Sequence, residues 1–297
     1  MGYLFLALPV HNEAHLAPLV ASACTYDLQP LGASVANDSC VGQLCYVENL
    51  SSPALKQLQE EGAAVGADVL YAPRFVHLSR PGAIIMDMDM TSVTIEGIDE
   101  IARSLGVYEE VAAITSMAMH GKADFATSLT RRVALLQGGS ASVLEEVKAR
   151  MHETPGLNCL LTTLKAHGFK CAIASGGFTQ LISVLEHKYQ LDLVRANTLE
   201  IVDGKFTGKV VGPIIDAKGK AQALADLQAR FNIAPEQTIA LGDGANDLLM
   251  IEAASLGIAY HAKPKVVAQA PHALTYCDLS AVALLLETYA REVKDNA

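Results

Sequence analysis

The chain has 297 residues, of which 51% are hydrophobic and 18% charged, and its net charge is −10. This size fits one large domain or two ordinary ones, and the apolar content excludes a disordered protein. The acidic balance argues against nucleic acid or an anionic membrane surface as a partner.

Residues 1–76 read as a small α+β unit. "YLFLALP" has the composition of a strand, and "EAHLAPLVASACTYD" spaces its apolar residues three and four apart, as a helix does. Strand-like pieces follow around "LGASVA" and "GQLCYVE". "SPALKQLQEEGAAVG" is a helix capped by Ser51 or Ser52, and "DVLYAP" closes the unit. The order βαββαβ predicts a ferredoxin-like arrangement. His11 and His15 stand four apart, but the H-E-x-x-H pattern is absent and no third ligand is evident, so they read as surface residues.

The apolar start lacks a basic leader region, since the first Lys or Arg is Lys56, and no run is long enough to span a bilayer. Six scattered cysteines without a C-x-x-C pair read as reduced thiols, so a cytoplasmic location is expected.

"RFVHLSRPG" reads as a linker into a second unit, residues 77–297. It begins with a buried strand at Ala83, and residues 93–160 form a mainly helical insert. Strands and helices then alternate through "FKCAIA", "FTQLISVLEHKYQ", "QTIALGD", "DLLMIEAASLG" and "GIAYHA", the signature of a parallel sheet. Within this run "LEIVDGKFTGKVVGPII" reads as a hairpin turning at Asp203-Gly204.

Three core strands end in polar, glycine-containing clusters: "AIIMD" in Asp87 and Asp89, "CAIA" in Ser175-Gly176-Gly177, and "TIAL" in "GDGAND", residues 242 to 247. In an open α/β sheet these ends gather at one edge, where ligands bind. Adjacent carboxylates without His or Cys suit a hard cation such as Mg²⁺, which offsets their repulsion. A serine hydroxyl and successive glycine N–H groups cradle phosphate, and Lys220 adds a point charge. Together they indicate metal-assisted phosphoryl transfer.

These residues resemble the four ordered motifs of the haloacid dehalogenase-type phosphatases, and closely the phosphoserine phosphatase branch. D-x-D-x-T appears as Asp87 to Thr91, the second motif as Ala174 to Thr179, the third as Lys220 and the fourth as "GDGAND". The resemblance implies an α/β fold: a HAD-like Rossmannoid parallel sheet with a helical (C1-type) cap, after a small N-terminal α+β, ferredoxin-like domain similar to ACT modules. It implies Asp87 as nucleophile and Asp89 as acid and base. Mg²⁺ is then expected on Asp87, the Asp89 carbonyl and Asp243, with Asp247 behind them. Ser175, Gly176, Lys220 and Asn246 hold the phosphoryl group. Within "IEGIDEIA" and "MHGKADFATSLTRRVALL", Glu96 meets the substrate ammonium, Arg132 its carboxylate, and Met119 and Phe125 close over it.

Helical spacing supports the last point independently, because Phe125, Ser128, Leu129 and Arg132 share one face. An ion pair of Arg132 with a glutamate of the insert is the alternative. The expected activity is hydrolysis of phosphoserine, with another small amino-bearing phosphomonoester, phosphoryl transfer to an alcohol, or a catalytically silent amino acid sensor as alternatives. Met90 stands where the family carries Ser or Gly, and either narrows the pocket or packs under the cap. "PVHNEAH" replaces the acidic-Arg-Pro-Gly turn of ACT modules, which leaves serine binding, homodimer formation and a structural role open for the N-terminal unit.

Overall fold

The computed structural model describes residues 1–119 and 124–294, without side chains at 118 and 119. The side chain of Met119 and the break expected beyond it therefore lie outside the described residues.

The chain opens with β1 (Gly2–Pro9), a 3-10 turn over Val10–His15, α1 (Leu16–Cys24), β2 (Gln29–Pro30), β3 (Val35–Ala36), β4 (Cys40–Val47), α2 (Ser52–Ala64) and β5 (Asp68–Ala72). The antiparallel order is β2-β4-β1-β5, with β3 also pairing β4. The first helix starts later than its sequence pattern, because Val10–His15 buries no residue while Leu16, Leu19 and Ala23 do. Ser51 caps α2 by accepting the Ala54 N–H at 3.3 Å. His11 and His15 are exposed.

Alternation along β1 decides what lies on each side of this sheet. Leu4, Leu6 and Leu8 face α1 and α2, whereas Phe5 and Ala7 face the rest of the protein.

The second sheet starts with β6 (Ala83–Met86). The insert follows: α3 (Gly97–Leu105), α4 (Tyr108–Met119), α5 (Phe125–Ala134) and α6 (Val143–Arg150). Next come α7 (Leu157–Ala166), β7 (Lys170–Phe178), α8 (Thr179–Tyr189) and the hairpin β8 (Leu193–Val202) and β9 (Lys205–Val211). Asp203 and Gly204 both take positive φ, 50° and 72°, as the tight hairpin turn requires. Last are α9 (Ala217–Phe231), β10 (Thr238–Gly242), α10 (Leu248–Ala253), β11 (Leu256–Tyr260), α11 (Pro264–Val267), β12 (His272–Leu274) and α12 (Ser280–Glu292).

The strand order is β12-β11-β10-β6-β7-β8-β9, parallel except for the β8–β9 hairpin. All four residues of β6 are fully buried, which accounts for its unbroken apolar run. Because β10 and β7 flank it, the chain's winding reverses beside β6 and opens a crevice at its carboxyl end.

α12 lies between the two sheets. Nine of its residues are buried, and Tyr289 packs edge-on against Tyr3 and Phe75 at centroid distances of 5.0 and 5.6 Å. Asp68 of β5 accepts the backbone N–H groups of Thr275, Tyr276 and Cys277 at 2.7, 3.0 and 2.9 Å. This carboxylate ties the N-terminal sheet to the loop that leads into α12. Among the described residues no helix is long and apolar enough to cross a membrane.

Candidate active site

Asp87 leaves β6 with its N–H on the Leu241 carbonyl at 2.9 Å, so the pairing of β6 with β10 fixes its backbone. The Ser92 hydroxyl donates to the Asp87 carbonyl at 2.5 Å. One carboxylate oxygen of Asp87 accepts the Met88 N–H at 2.7 Å, and the other faces Lys220 Nζ at 2.8 Å.

Lys220 lies in the first turn of α9, which Asp216 caps by accepting the Gly219 N–H. Its ammonium is fully buried and also reaches Asp247 Oδ1 at 2.6 Å. Asp247 Oδ2 accepts the Gly244 N–H at 2.9 Å. Gly242 is required here, since a Cβ on it would stand 2.4 Å from the Asp247 side chain.

Asp87, Asp243 and Asp247 offer carboxylate oxygens within 4.8 Å of one another. Burial, together with the charge of Asp87, pushes the carboxyls of Asp243 and Asp247 up to about 7. One ammonium thus leaves three clustered carboxylates short of positive charge. Their oxygen-only donor set fits a hard divalent cation.

Asp89 stands beside this cluster, with Oδ1 accepting the Gly97 N–H at 3.0 Å. Its Oδ2 lies over Gly177, where an added Cβ would approach to 2.6 Å. Desolvation, then Glu96 and Asp87, hold its pKa well above the ordinary carboxylate value. Asp89 is therefore biased toward its protonated form, next to a neighbour fixed by an ammonium.

β7 extends through Ser175-Gly176-Gly177 rather than ending at Ala174, and its register with β8 shifts there. Ser175 is fully buried and its Oγ accepts the Gly177 N–H at 2.9 Å. Asn246 lies at the 3-10 turn that follows β10, with its Oδ1 against Gly244.

The insert closes the other side. The Phe125 ring rests on Gly176, where an added Cβ would stand 2.6 Å from its Cζ. Glu96 precedes α3 and is exposed as a residue, yet the cleft walls desolvate its carboxyl, and with Asp87 and Asp99 raise its pKa. Arg132 has no ion pair within 4 Å among the described residues, and its Nε has no hydrogen-bond partner. The alternative of a fixed pair with a glutamate of the insert is thus not realised. Ser128, one turn earlier, also buries an unpartnered Oγ.

Of the two readings open for Met90, packing under the cap is not realised. The residue is 43% exposed, not packed beneath the helices, and its φ is +56°. This left-handed conformation favours glycine, so the backbone of the turn makes its own demand here, separate from any contact of the side chain.

Sequence reasoning missed several supports. Thr91 Oγ1 donates to Asp243 at 3.4 Å, and buried Asn197 donates to the Gly176 carbonyl while accepting the Ile215 N–H. The only advance sign of the latter was an asparagine inside a β-rich run.

The model of the haloacid dehalogenase-like hydrolases matches residues 84–252. A phosphoserine phosphatase of Vibrio cholerae is 47% identical over 209 residues, covering 70% of this chain and 64% of the relative. One from Streptomyces coelicolor is 42% identical over 244 residues, covering 82% and 60%. The matched stretch thus spans less than two thirds of either relative. The crystal structure of a HAD family hydrolase from Salmonella enterica superposes over the whole of both chains with a TM-score of 0.86 at 35% identity. The chain belongs to the haloacid dehalogenase-like hydrolase family.

Proposed function

We propose that this protein is a Mg²⁺-dependent phosphoserine phosphatase, releasing L-serine and phosphate through an aspartyl-phosphate on Asp87. The observation that carries this reading is Arg132. Its Nε is buried without a partner, on the same helix as the Phe125 ring that covers Gly176. A half-buried guanidinium whose neighbours Glu96, Asp99 and Asp89 act on it through charge, with no hydrogen bond to its Nε, suits a carboxylate supplied by the ligand. Glu96, in the same electrostatic neighbourhood, offers the opposite charge for an ammonium. A sugar phosphate has no use for such a pair. The phosphoserine phosphatase relatives support the same substrate.

The arrangement supports the following roles. Asp87 attacks phosphorus while Ser175, the Gly176 N–H, Lys220 and Asn246 bind the phosphoryl oxygens. Asp89 gives its proton to the departing serine oxygen, then takes one from the water that cleaves the acyl phosphate. Asp87, the Asp89 carbonyl and Asp243, with Asp247 behind them, would hold Mg²⁺, which would supply the positive charge this acidic cluster lacks and lower repulsion between Asp87 and the phosphate. Phe125 excludes water from above. In this reading residues 1–76 form one domain, 77–297 the phosphatase, and 93–160 its cap.

The decisive measurement is phosphate release from L-phosphoserine, phosphothreonine, phosphoethanolamine and sugar phosphates, with Mg²⁺ or EDTA. A clear preference for phosphoserine that EDTA abolishes is expected. Equal rates across the panel would refute the substrate, and full activity in Asp87→Asn would refute the nucleophile.

A further inference from the structure

Asn197 of β8 is not among the groups assigned to the phosphoryl oxygens, yet its side chain joins two of the pieces that carry them. It is 1% exposed, donates from Nδ2 to the Gly176 carbonyl at 2.8 Å, and accepts the Ile215 N–H on Oδ1 at 2.9 Å. Gly176 lies in the phosphate cradle. Ile215 directly precedes Asp216, the cap of α9, whose first turn carries Lys220.

The backbone around the cradle calls for such a brace. Between the pairs Ala174–Arg195 and Phe178–Asn197, β7 places Ser175, Gly176 and Gly177 against Ala196 alone, so the ladder is interrupted there. Two successive glycines also leave the Gly176–Gly177 peptide plane little restricted by side chains. That plane is nevertheless held at both ends. Asn197 donates to its carbonyl, and Ser175 Oγ accepts its N–H at 2.9 Å. With its lone pair so engaged, the Ser175 hydroxyl keeps its proton for a phosphoryl oxygen. β8 is fixed in turn by Gln180 of α8, which donates to the Leu199 carbonyl at 2.8 Å and accepts the Leu199 N–H at 3.2 Å.

We infer that Asn197 is a positioning residue for phosphoryl binding: it sets the Gly176–Gly177 peptide, and through it the Ser175 hydroxyl, in register with the helix that delivers Lys220. This rests on the phosphoryl-binding roles proposed above for Ser175, Gly176 and Lys220. The residue type is demanding, because one short planar group must offer a donor to Gly176 and an acceptor to Ile215. Ionised aspartate lacks the donor, and leucine lacks both.

The test compares wild type and variants by calorimetric titration with inorganic phosphate in Mg²⁺, beside kcat/KM on p-nitrophenyl phosphate and phosphoserine and the urea midpoint. Asn197→Leu keeps the approximate volume and removes both bonds. It should bind phosphate roughly 5- to 50-fold more weakly and lose kcat/KM on both substrates by a similar factor. Asn197→Asp keeps the acceptor for Ile215 and should also bind phosphate more weakly; it decides the matter if the leucine variant does not fold. A lowered urea midpoint with wild-type phosphate affinity in the folded variants would make Asn197 a support of the fold alone and overturn the inference. The phosphate titration involves no serine group, so a wild type without preference for phosphoserine would refute the substrate and not this role.

Discussion

Replacing Lys220 by Met removes the positive charge that holds the site together while keeping most of the volume. The ammonium lies 2.8 Å from Asp87 and 2.6 Å from Asp247, with side-chain exposures of 0% for the lysine and 8% and 0% for the carboxylates. Burial pulls the Lys220 pKa down, but Asp247 and Asp87 outweigh it and raise it above the ordinary lysine value. Deleting one partner of a buried ion pair costs about 3–5 kcal/mol, because the remaining charge is left without a counter-ion. That cost is felt only where the carboxylates are ionised. A carboxyl whose folded pKa is raised binds its proton more tightly in the native than in the unfolded state. Its stability contribution is therefore lost as pH climbs from the unfolded value of about 3.9 to the folded one. Asp243 and Asp247 already stand at about 7 with the ammonium present, and its removal drives Asp247 higher still. Metal-free Lys220→Met should thus approach wild-type stability near pH 5 and fall behind it by about 3–5 kcal/mol at pH 8. Urea denaturation in EDTA, followed by circular dichroism at both pH values, measures this, and added Mg²⁺ should narrow the gap. An unchanged midpoint at pH 8, or a larger deficit at pH 5, would refute the reasoning.

Arg132→Ala should lower kcat/KM on phosphoserine roughly 10- to 100-fold, the worth of a charge-assisted hydrogen bond, while sparing p-nitrophenyl phosphate. Equal losses on both substrates would assign the arginine to folding. Tyr289→Ala should cost about 3–5 kcal/mol in urea denaturation and shift a single transition, since this ring ties α12 to β1 and to the segment that connects the two sheets. A separate early transition would mean that the sheets unfold independently. Met90→Gly should gain up to about 1 kcal/mol by relieving the left-handed backbone, with kcat/KM on phosphoserine within a few fold of wild type. A loss of stability would show that its side chain contributes more than the turn costs.

What could be read in advance was what the chain decides locally. β6 announces itself as an apolar run because a central parallel strand is buried on both faces, and the polar clusters at strand ends follow in the same few residues. Asp87, Asp89 and Asp243 belong to that class, and the structure brings Lys220 of α9 to Asp87. Features that depend on distant partners were less legible. β2 and β3 are two-residue strands held by β4, with no periodicity of their own. Asn197 matters only because β8 passes beside the Gly176 carbonyl. The positive φ of Met90 belongs to the turn geometry, which a methionine does nothing to advertise.

The same distinction explains the N-terminal sheet. "SAVALLLETYA" in α12 is apolar on almost every side, a composition that only a helix covered from opposite directions can carry. α7 packs against it from the parallel-sheet side, and Phe5, Ala7, Leu44 and Leu70 of the antiparallel sheet belong to the same core. Without that sheet, a row of Leu, Val and Tyr side chains would face water at about 25 cal/mol for each Å² exposed. The face that covers α12 is therefore already occupied and unavailable to a ligand or a second copy. Of the three roles the sequence left open for the N-terminal unit, the structural one has a direct physical basis. The opposite face is closed as well, by α1 and α2 packed on Leu4, Leu6 and Leu8. Any partner of this unit must then engage its edges or helices, and the sheet itself serves the stability of the enzyme.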